Sequence, residues 1–234
     1  MLTDAQIERY SRQIILPQVG GKGQEKLLRA RVLVNGNTPV QTSALFYLAA
    51  AGVGTIGVLA QATDSVFSVL ASDQKDPVSC VLTRLNPDCA VVIHKESDLL
   101  HRQHLVQQYD FVLSTPDDAL HQACYASRRP FVCAQVSAGE AWLFSCRGYE
   151  PDLPCLQCCA LPVGEDSASA SLTETAALFL GTLQATEAIK LILGLHHASS
   201  GKLLHCQFPA LHFSESIVKK DPGCPLCTQC RSQS

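Results

Sequence analysis

The chain has 234 residues, 47% of them hydrophobic and 17% charged, enough to bury a sizeable core and an ordinary length for one α/β domain. Its 18 basic side chains stand against 21 acidic ones, with no run of like charge longer than Lys219-Lys220. That distribution leaves no electrostatic footprint for nucleic acid or an anionic membrane, and both are set aside as partners.

The start, MLTDAQIERY, carries Asp4 and Glu8 where a secretion signal would be apolar. The greasiest segment, 172 to 195, is interrupted by Glu174, Gln184, Glu187 and Lys190. A cytoplasmic protein is expected. Residues 3 to 16 read as a helix with Thr3 or Asp4 as cap and Ile7, Tyr10 and Ile14 at helical spacing, closed by Gly20-Gly21. RVLVN at 31 to 35 is a β-branched run. An alanine-rich helix from 39 to 51 and a second apolar run, TIGVLA at 55 to 60, follow it. The alternation continues with a helix near 76 to 85, a strand at 89 to 94, a helix around 98 to 108, a strand at 110 to 114, a helix from 117 to 127 and a strand at 131 to 136. Strands and helices alternating in this way predict a doubly wound, mostly parallel sheet with helices on both faces.

After residue 137 the order changes. AWLFSCR at 141 to 147 suits an antiparallel strand, 148 to 170 reads as a surface crossover, and a long buried helix spans 172 to 195. GKLLHCQF and LHFSESIV are two closing strands, and the tail DPGCPLCTQCRSQS has no periodicity. The expectation is one domain over 1–234: a helical arm at 1–29, a Rossmann-like core at 30–137, and a C-terminal part at 138–234 with antiparallel strands, a crossover loop and a cysteine-rich tail.

The turn after the first strand should be rich in glycine if this fold is to hold a nucleotide, because backbone N–H groups must close on the phosphates at the next helix end. Here it reads Gly36-Asn37-Thr38-Pro39-Val40-Gln41, and only the first glycine of G-x-G-x-x-G survives. Thr38 suits an N-cap, Pro39 the first helical position, and Gln41 the third residue of a capping box. That reading has the helix end satisfying its own donors.

Twelve cysteines in a reducing compartment call for metal binding, catalysis or burial rather than a disulfide framework. Cys155 and Cys158 in PCLQC, with Cys224 and Cys227 in PGCPLC, make two C-x-x-C pairs that can close a tetrahedral Zn²⁺ site. Cys159 and Cys230 offer alternative registers. Cys80, Cys89, Cys124, Cys133, Cys146 and Cys206 lie on apolar runs and read as small core residues. The eight histidines show no ligand spacing, and His196-His197 reads as a solvated helix end.

With these elements placed, the chain resembles the ThiF/MoeB/HesA family, relatives of the ubiquitin-activating E1 enzymes. The resemblance rests on ERYSRQIILPQVGGKGQEKLLRARVLV, YLAAAGVGTIGVL, LTRLNP, DFVLSTPDD, PCLQC, LGTLQATEAIKLILG and PGCPLC. It implies a dimer, a structural zinc on the two C-x-x-C pairs, and adenylation of the C-terminal glycine of a β-grasp, ubiquitin-like or sulfur-carrier protein with ATP and magnesium. Position by position, the family's ribose acid falls on Ala60 or Ala62, with Asp64 matching only a second acid. Its Asn and Arg fall near Leu70 and Asp73, its lysine on Gln74 beside Lys75, and its nucleophilic cysteine near Ser167. Gly36 remains from the ATP loop, Asp117 matches the magnesium ligand with Asp118 beside it, and Arg12 matches an arginine given across the dimer to the partner's phosphates. The expectation is a degenerate member that does not use ATP itself and serves as a dimeric scaffold or partner subunit. The alternatives are a working adenylyltransferase and an NAD-dependent oxidoreductase.

Overall fold

The computed structural model describes residues 1–36, 38–59, 78–95, 99–161, 170–195 and 201–229. Among the described residues eight strands form one sheet in the order β3-β2-β1-β4-β5-β6-β7-β8: β1 (Arg31–Asn35), β2 (Thr55–Leu59), β3 (Ala90–His94), β4 (Phe111–Ser114), β5 (Phe131–Ser137), β6 (Glu140–Cys146), β7 (Lys202–Gln207) and β8 (His212–Ile217). The first five run parallel and the last three join antiparallel. The switch comes at the two-residue turn Ala138-Gly139, whose φ angles of 51° and 77° match the positive-φ hairpin turn that the sheet's twist favours. The doubly wound, mostly parallel sheet with antiparallel C-terminal strands is therefore as the alternation predicts.

Helices cover both faces. On one, α4 (Pro39–Ala51) lies along the long α9 (Ala170–Leu193), and α9 also meets β5 and β6. α9 is apolar enough by composition to span a membrane, with a mean hydropathy of 1.4, but here it is a core helix. Its fully buried Gln184 donates to the carbonyls of Ser114 (2.9 Å) and Val132 (2.8 Å). At Gly181 a Cβ would stand 2.0 Å from the Val40 carbonyl oxygen, so α9 crosses the first turn of α4 at backbone contact. On the other face, α6 (Leu99–Gln107), α7 (Asp118–Ala126) and the short α8 (Leu156–Cys159) cover a second cluster around Leu33, Val112, Phe131 and Phe144.

The N-terminal arm differs from a single helix over 3–16. It forms α1 (Asp4–Arg9) and α2 (Ser11–Ile14), broken at Tyr10, and Gly20-Gly21 opens α3 (Gly20–Arg29) rather than ending a unit. Thr3 caps α1 with a capping box to Gln6. The break frees Tyr10 to turn inward. Its hydroxyl lies 3.2 Å from Asn86 Oδ1 and 3.0 Å from Asp88 Oδ2. Asn86 donates in turn to the Ala49 carbonyl at 2.7 Å, and Arg9 pairs with Asp88. These residues follow α5 (Val78–Leu85), so the ERYSRQ and LTRLNP motifs meet as one clasp between arm and core. A short helix, α10 (Pro225–Gln229), lies in the tail. Among the small core residues, Cys89, Cys124, Cys133, Cys146 and Cys206 are buried as expected, but Cys80 is exposed on α5 because its side of that helix faces outward.

Candidate functional site

In a doubly wound sheet the two strands whose connections leave in opposite directions part at their carboxyl ends, and ligands bind in the gap. Here those strands are β1 and β4, since the chain passes from β1 outward to β2 and β3 before returning to β4. A cleft of about 930 Å³ opens at that end. The start of α4 (Thr38, Pro39, Val40) and the β4–α7 turn (Thr115, Pro116, Asp118) form its head. Gln135 of β5, Gln157 of α8 and Glu174 of α9 contribute the polar walls.

Gly36 has φ of 110°, a conformation that glycine adopts at little cost, which explains why this one glycine is kept. The capping box expected beyond it is absent. Thr38 is the N-cap, but its side chain accepts no bond from the helix. The hydroxyl donates instead to Gln41 Oε1. The carboxamide of Gln41 lies over Gly36, where a Cβ would meet its oxygen at 3.3 Å, and the residue is fully buried. The turn is thus closed by a packed side chain rather than by a cap. Capping rules consider only the helix's own first turn, whereas here the glycine leaves room for the amide to fold across it. Gln41 Nε2 finds no partner.

Asp117 is the N-cap of α7 and accepts from the Leu120 N–H at 2.9 Å. Both its oxygens also face Arg102 Nη1, at 3.2 and 3.0 Å, and Asn35 Nδ2 reaches it at 3.3 Å. Its neighbour Asp118 is the one that faces the cleft. Arg102 on α6 carried no signal in the sequence, because it reaches Asp117 only through the packing of α6 on α7. Arg12 is exposed on α2. The positions Ala60, Ala62, Asp64, Leu70, Asp73, Gln74, Lys75, Ser167, His196, His197 and Cys230 lie outside the described residues.

The second constellation is the cysteine knuckle. The sulfurs of Cys155, Cys158, Cys224 and Cys227 all lie within 4.8 Å of one another. Cys155 and Cys158 are 3.7 Å apart, Cys155 and Cys224 3.5 Å, and Cys158 and Cys227 3.8 Å. Four thiolates each about 2.3 Å from one tetrahedral ion would stand about 3.8 Å apart, so the set fits such an ion. The Asp221 N–H points at Cys158 Sγ at 3.5 Å, the kind of outer bond that steadies a thiolate ligand. Cys159 is half-buried and outside the four. Lys220 braces the tail by donating to the carbonyls of Gly148 (2.8 Å) and Glu150 (2.9 Å).

His121 joins the two constellations. Fully buried on α7, it accepts the Leu156 N–H on Nε2 at 3.2 Å, beside Cys155. Burial pushes its pKa down to about 4, so the ring stays neutral with its proton on Nδ1, which has no partner. Leu156 and Gln157, between the first two knuckle cysteines, form the cleft wall, so α8 serves both sites.

An α/β sheet of this order, with a cleft at its switch point and a four-cysteine knuckle tying the crossover to the tail, defines an E1-like architecture. The chain belongs to the ThiF family, whose model matches residues 77–226. It is 30% identical to the molybdopterin-synthase adenylyltransferase of Escherichia coli K12, over 97% of this chain and 99% of that protein. It is 33% identical to the heterocyst protein HesA of Trichormus variabilis, over 97% of this chain and 90% of that one. Among solved structures, E. coli MccB in complex with ATP superposes with a TM-score of 0.72 at 19% identity, over 94% of this chain and 74% of that one.

Proposed function

We propose that this chain is a ThiF-family pseudoenzyme: a zinc-tied, E1-like scaffold that does not use ATP itself and assists activation of a ubiquitin-like or sulfur-carrier protein of the β-grasp type. The observation that carries the reading is the buried Gln41 carboxamide seated over Gly36, in the space a triphosphate needs against the turn. Pro39 withholds one helix-end donor, and Asp117, the match to a magnesium ligand, already has Arg102 as its cation. Adenylyl transfer depends on donors and metal held ready for developing phosphate charge. In this reading the chain acts as a dimer, with itself or with an active E1-like subunit, and Arg12 is the side chain given to that partner's phosphates. Cys155, Cys158, Cys224 and Cys227 hold a structural zinc that adds no chemistry to the cleft. In this reading the protein is cytoplasmic, where reduced thiols remain free to hold the zinc.

Calorimetric titration with ATP and Mg²⁺ is the test: no heat is expected up to millimolar nucleotide, and micromolar affinity would reject the reading. The second reading, a working adenylyltransferase with a rearranged pocket, draws on the end-to-end likeness to a molybdopterin-synthase adenylyltransferase. It predicts carrier-dependent ATP–pyrophosphate exchange, measured with radiolabelled pyrophosphate. An NAD-dependent oxidoreductase has the least support, for it needs the same open turn and a ribose acid.

A further inference from the structure

The four knuckle sulfurs are alike in chemistry and unlike in access. Cys155 is fully buried and Cys224 nearly so. At Gly148 a Cβ would stand 2.4 Å from Cys155 Cβ, so backbone closes directly on that side chain. Cys155 and Cys224 also face each other, 3.5 Å apart. Cys158, on α8, is the one member of the four that keeps appreciable exposure. Cys227, on α10, forms part of the wall of a small cavity of about 200 Å³, together with Asp152, Lys220, Asp221 and Thr228. The two sulfurs with a route to solvent are therefore neighbours, 3.8 Å apart, although they lie 69 positions apart in the chain.

A zinc ion bound by the four would hold every sulfur as a thiolate, the form that attacks electrophiles. An accessible thiolate reacts with a peroxide, and a second thiolate within reach then traps the product as a disulfide. Cys155 is a poor trap despite lying 3.7 Å from Cys158, since the backbone at Gly148 leaves its side chain no room to turn. Cys227 has a cavity beside it in which to move.

We infer that the knuckle is a peroxide-sensitive switch, in which Cys158 and Cys227 pass from zinc ligands to a disulfide. The Cys158 thiolate attacks one oxygen of a hydroperoxide: an S–O bond forms as the O–O bond breaks, and the leaving alkoxide or hydroxide takes a proton from water. The Cys227 thiolate then attacks the Cys158 sulfur, forming the S–S bond and expelling hydroxide, which is likewise protonated. The two thiolates together lose two electrons, and the hydroperoxide is reduced to water and an alcohol, or to two waters where it is hydrogen peroxide. Cys155 and Cys224 alone offer two ligands where a closed zinc site needs four, so the site no longer retains the ion. Crossover and tail stay tied, now by a covalent bond, and a dithiol reductant reverses the change. The inference rests on the zinc-tied knuckle of the proposed scaffold and is independent of whether the cleft binds ATP.

The test treats the full chain, purified under reductant and then freed of it anaerobically, with hydrogen peroxide. A chromogenic chelator reads the zinc released, and peptide mapping without reduction locates the disulfide. One zinc per chain should be lost as one Cys158–Cys227 disulfide forms, and dithiothreitol with added zinc should restore the starting state. The oxidised, zinc-free chain should keep a higher thermal midpoint than reduced chain stripped by a chelator, because only the former retains a tie between crossover and tail. Cys80→Ser combined with Cys159→Ser removes an exposed and a half-buried thiol outside the four, and should change neither the release nor the disulfide. Zinc retained at peroxide levels that oxidise Cys80 in the wild type would overturn the inference. So would release with the disulfide in any other pair, with sulfinic acid in place of a disulfide, or only when Cys80 and Cys159 are present. The two readings fail separately: a reduced chain that holds no zinc rejects the knuckle as a metal site and the switch with it, whereas a chain that holds zinc and keeps it under peroxide rejects the switch alone.

Discussion

The cysteine knuckle, two of whose sulfurs come from the start and body of α8, and the turn after β1, at the head of the cleft, keep their chemistry in different ways. In the knuckle the four sulfurs lie within 4.8 Å of one another, with Lys220 and the Asp221 N–H bracing the tail around them. In the turn the backbone conformation survives at Gly36, while the space above it is filled by Gln41. A metal knuckle that ties crossover to tail is needed whether or not the cleft performs chemistry. A phosphate cradle is needed only if phosphate is bound, so it can be filled without cost to the fold.

The sharpest way to break this comparison is to remove a ligand. Cys155 is fully buried, and a single Cys155→Ser substitution should release the metal and undo the knuckle. Loss of several kcal/mol is expected, given that structural zinc contributes about 10–16 kcal/mol in isolated finger peptides. Plasma emission spectrometry should find one zinc per wild-type chain and none in the variant, with a lower thermal midpoint. A wild-type chain purified without stoichiometric metal and unaffected by chelators would reverse the contrast between the two regions.

A smaller effect should appear where knuckle and core meet. His121 is held neutral with its pKa near 4 by burial, against about 6.5 in an unfolded chain. Above pH 6.5 the ring is neutral in both states and contributes nothing to the pH dependence. As pH falls from 6.5 toward 4, only the unfolded chain takes up the proton, so the folded state loses up to about 3 kcal/mol and the loss then levels off. His121→Gln keeps an acceptor for the Leu156 N–H without titrating. Urea unfolding at several pH values should therefore find the variant less stable at pH 7 and the gap closing by pH 4.5. Comparing the two proteins at each pH cancels the zinc-linked loss that both share. A gap of constant size would mean that His121 does not titrate as the buried geometry requires.

Much of this was legible in the sequence, for reasons that differ by element. The mostly parallel, doubly wound sheet is legible in the strand–helix alternation and the four knuckle cysteines in their spacing, because both signals are repeated and local. α8 and α10 were missed since helices of four and five residues are too short to show periodicity, and both lie between or beside the knuckle cysteines. Within the helical arm expected over 1–29, Gly20-Gly21 reads as a stop, whereas in the structure it opens α3 because Leu27 and Gln24 are drawn into the core, with Gln24 donating to the Ala51 carbonyl at 3.0 Å. The Thr38–Gln41 spacing fits a capping box, but tertiary space over Gly36 decided where the amide went. Gln135, Gln157 and Glu174 come from a strand and two helices, and no spacing connects them.

The smallest expected effect tests the other side of the comparison. Arg102 and Asp117 are 14% and 22% exposed, a pair sheltered enough for its removal to be measurable. Arg102→Gln should cost about 1–2 kcal/mol, since the carboxylate keeps the Leu120 N–H and Asn35 as donors but loses its charged partner. If Arg102 alone stands in for the magnesium ion, this variant should also bind Mg²⁺ where the wild type does not. Because Gln41 still fills the turn, it should gain no affinity for ATP. Titration calorimetry with Mg²⁺ alone and then with Mg²⁺ and ATP separates the two outcomes. ATP binding by Arg102→Gln would show that charge at Asp117, rather than the filled turn, is what keeps nucleotide out of the cleft.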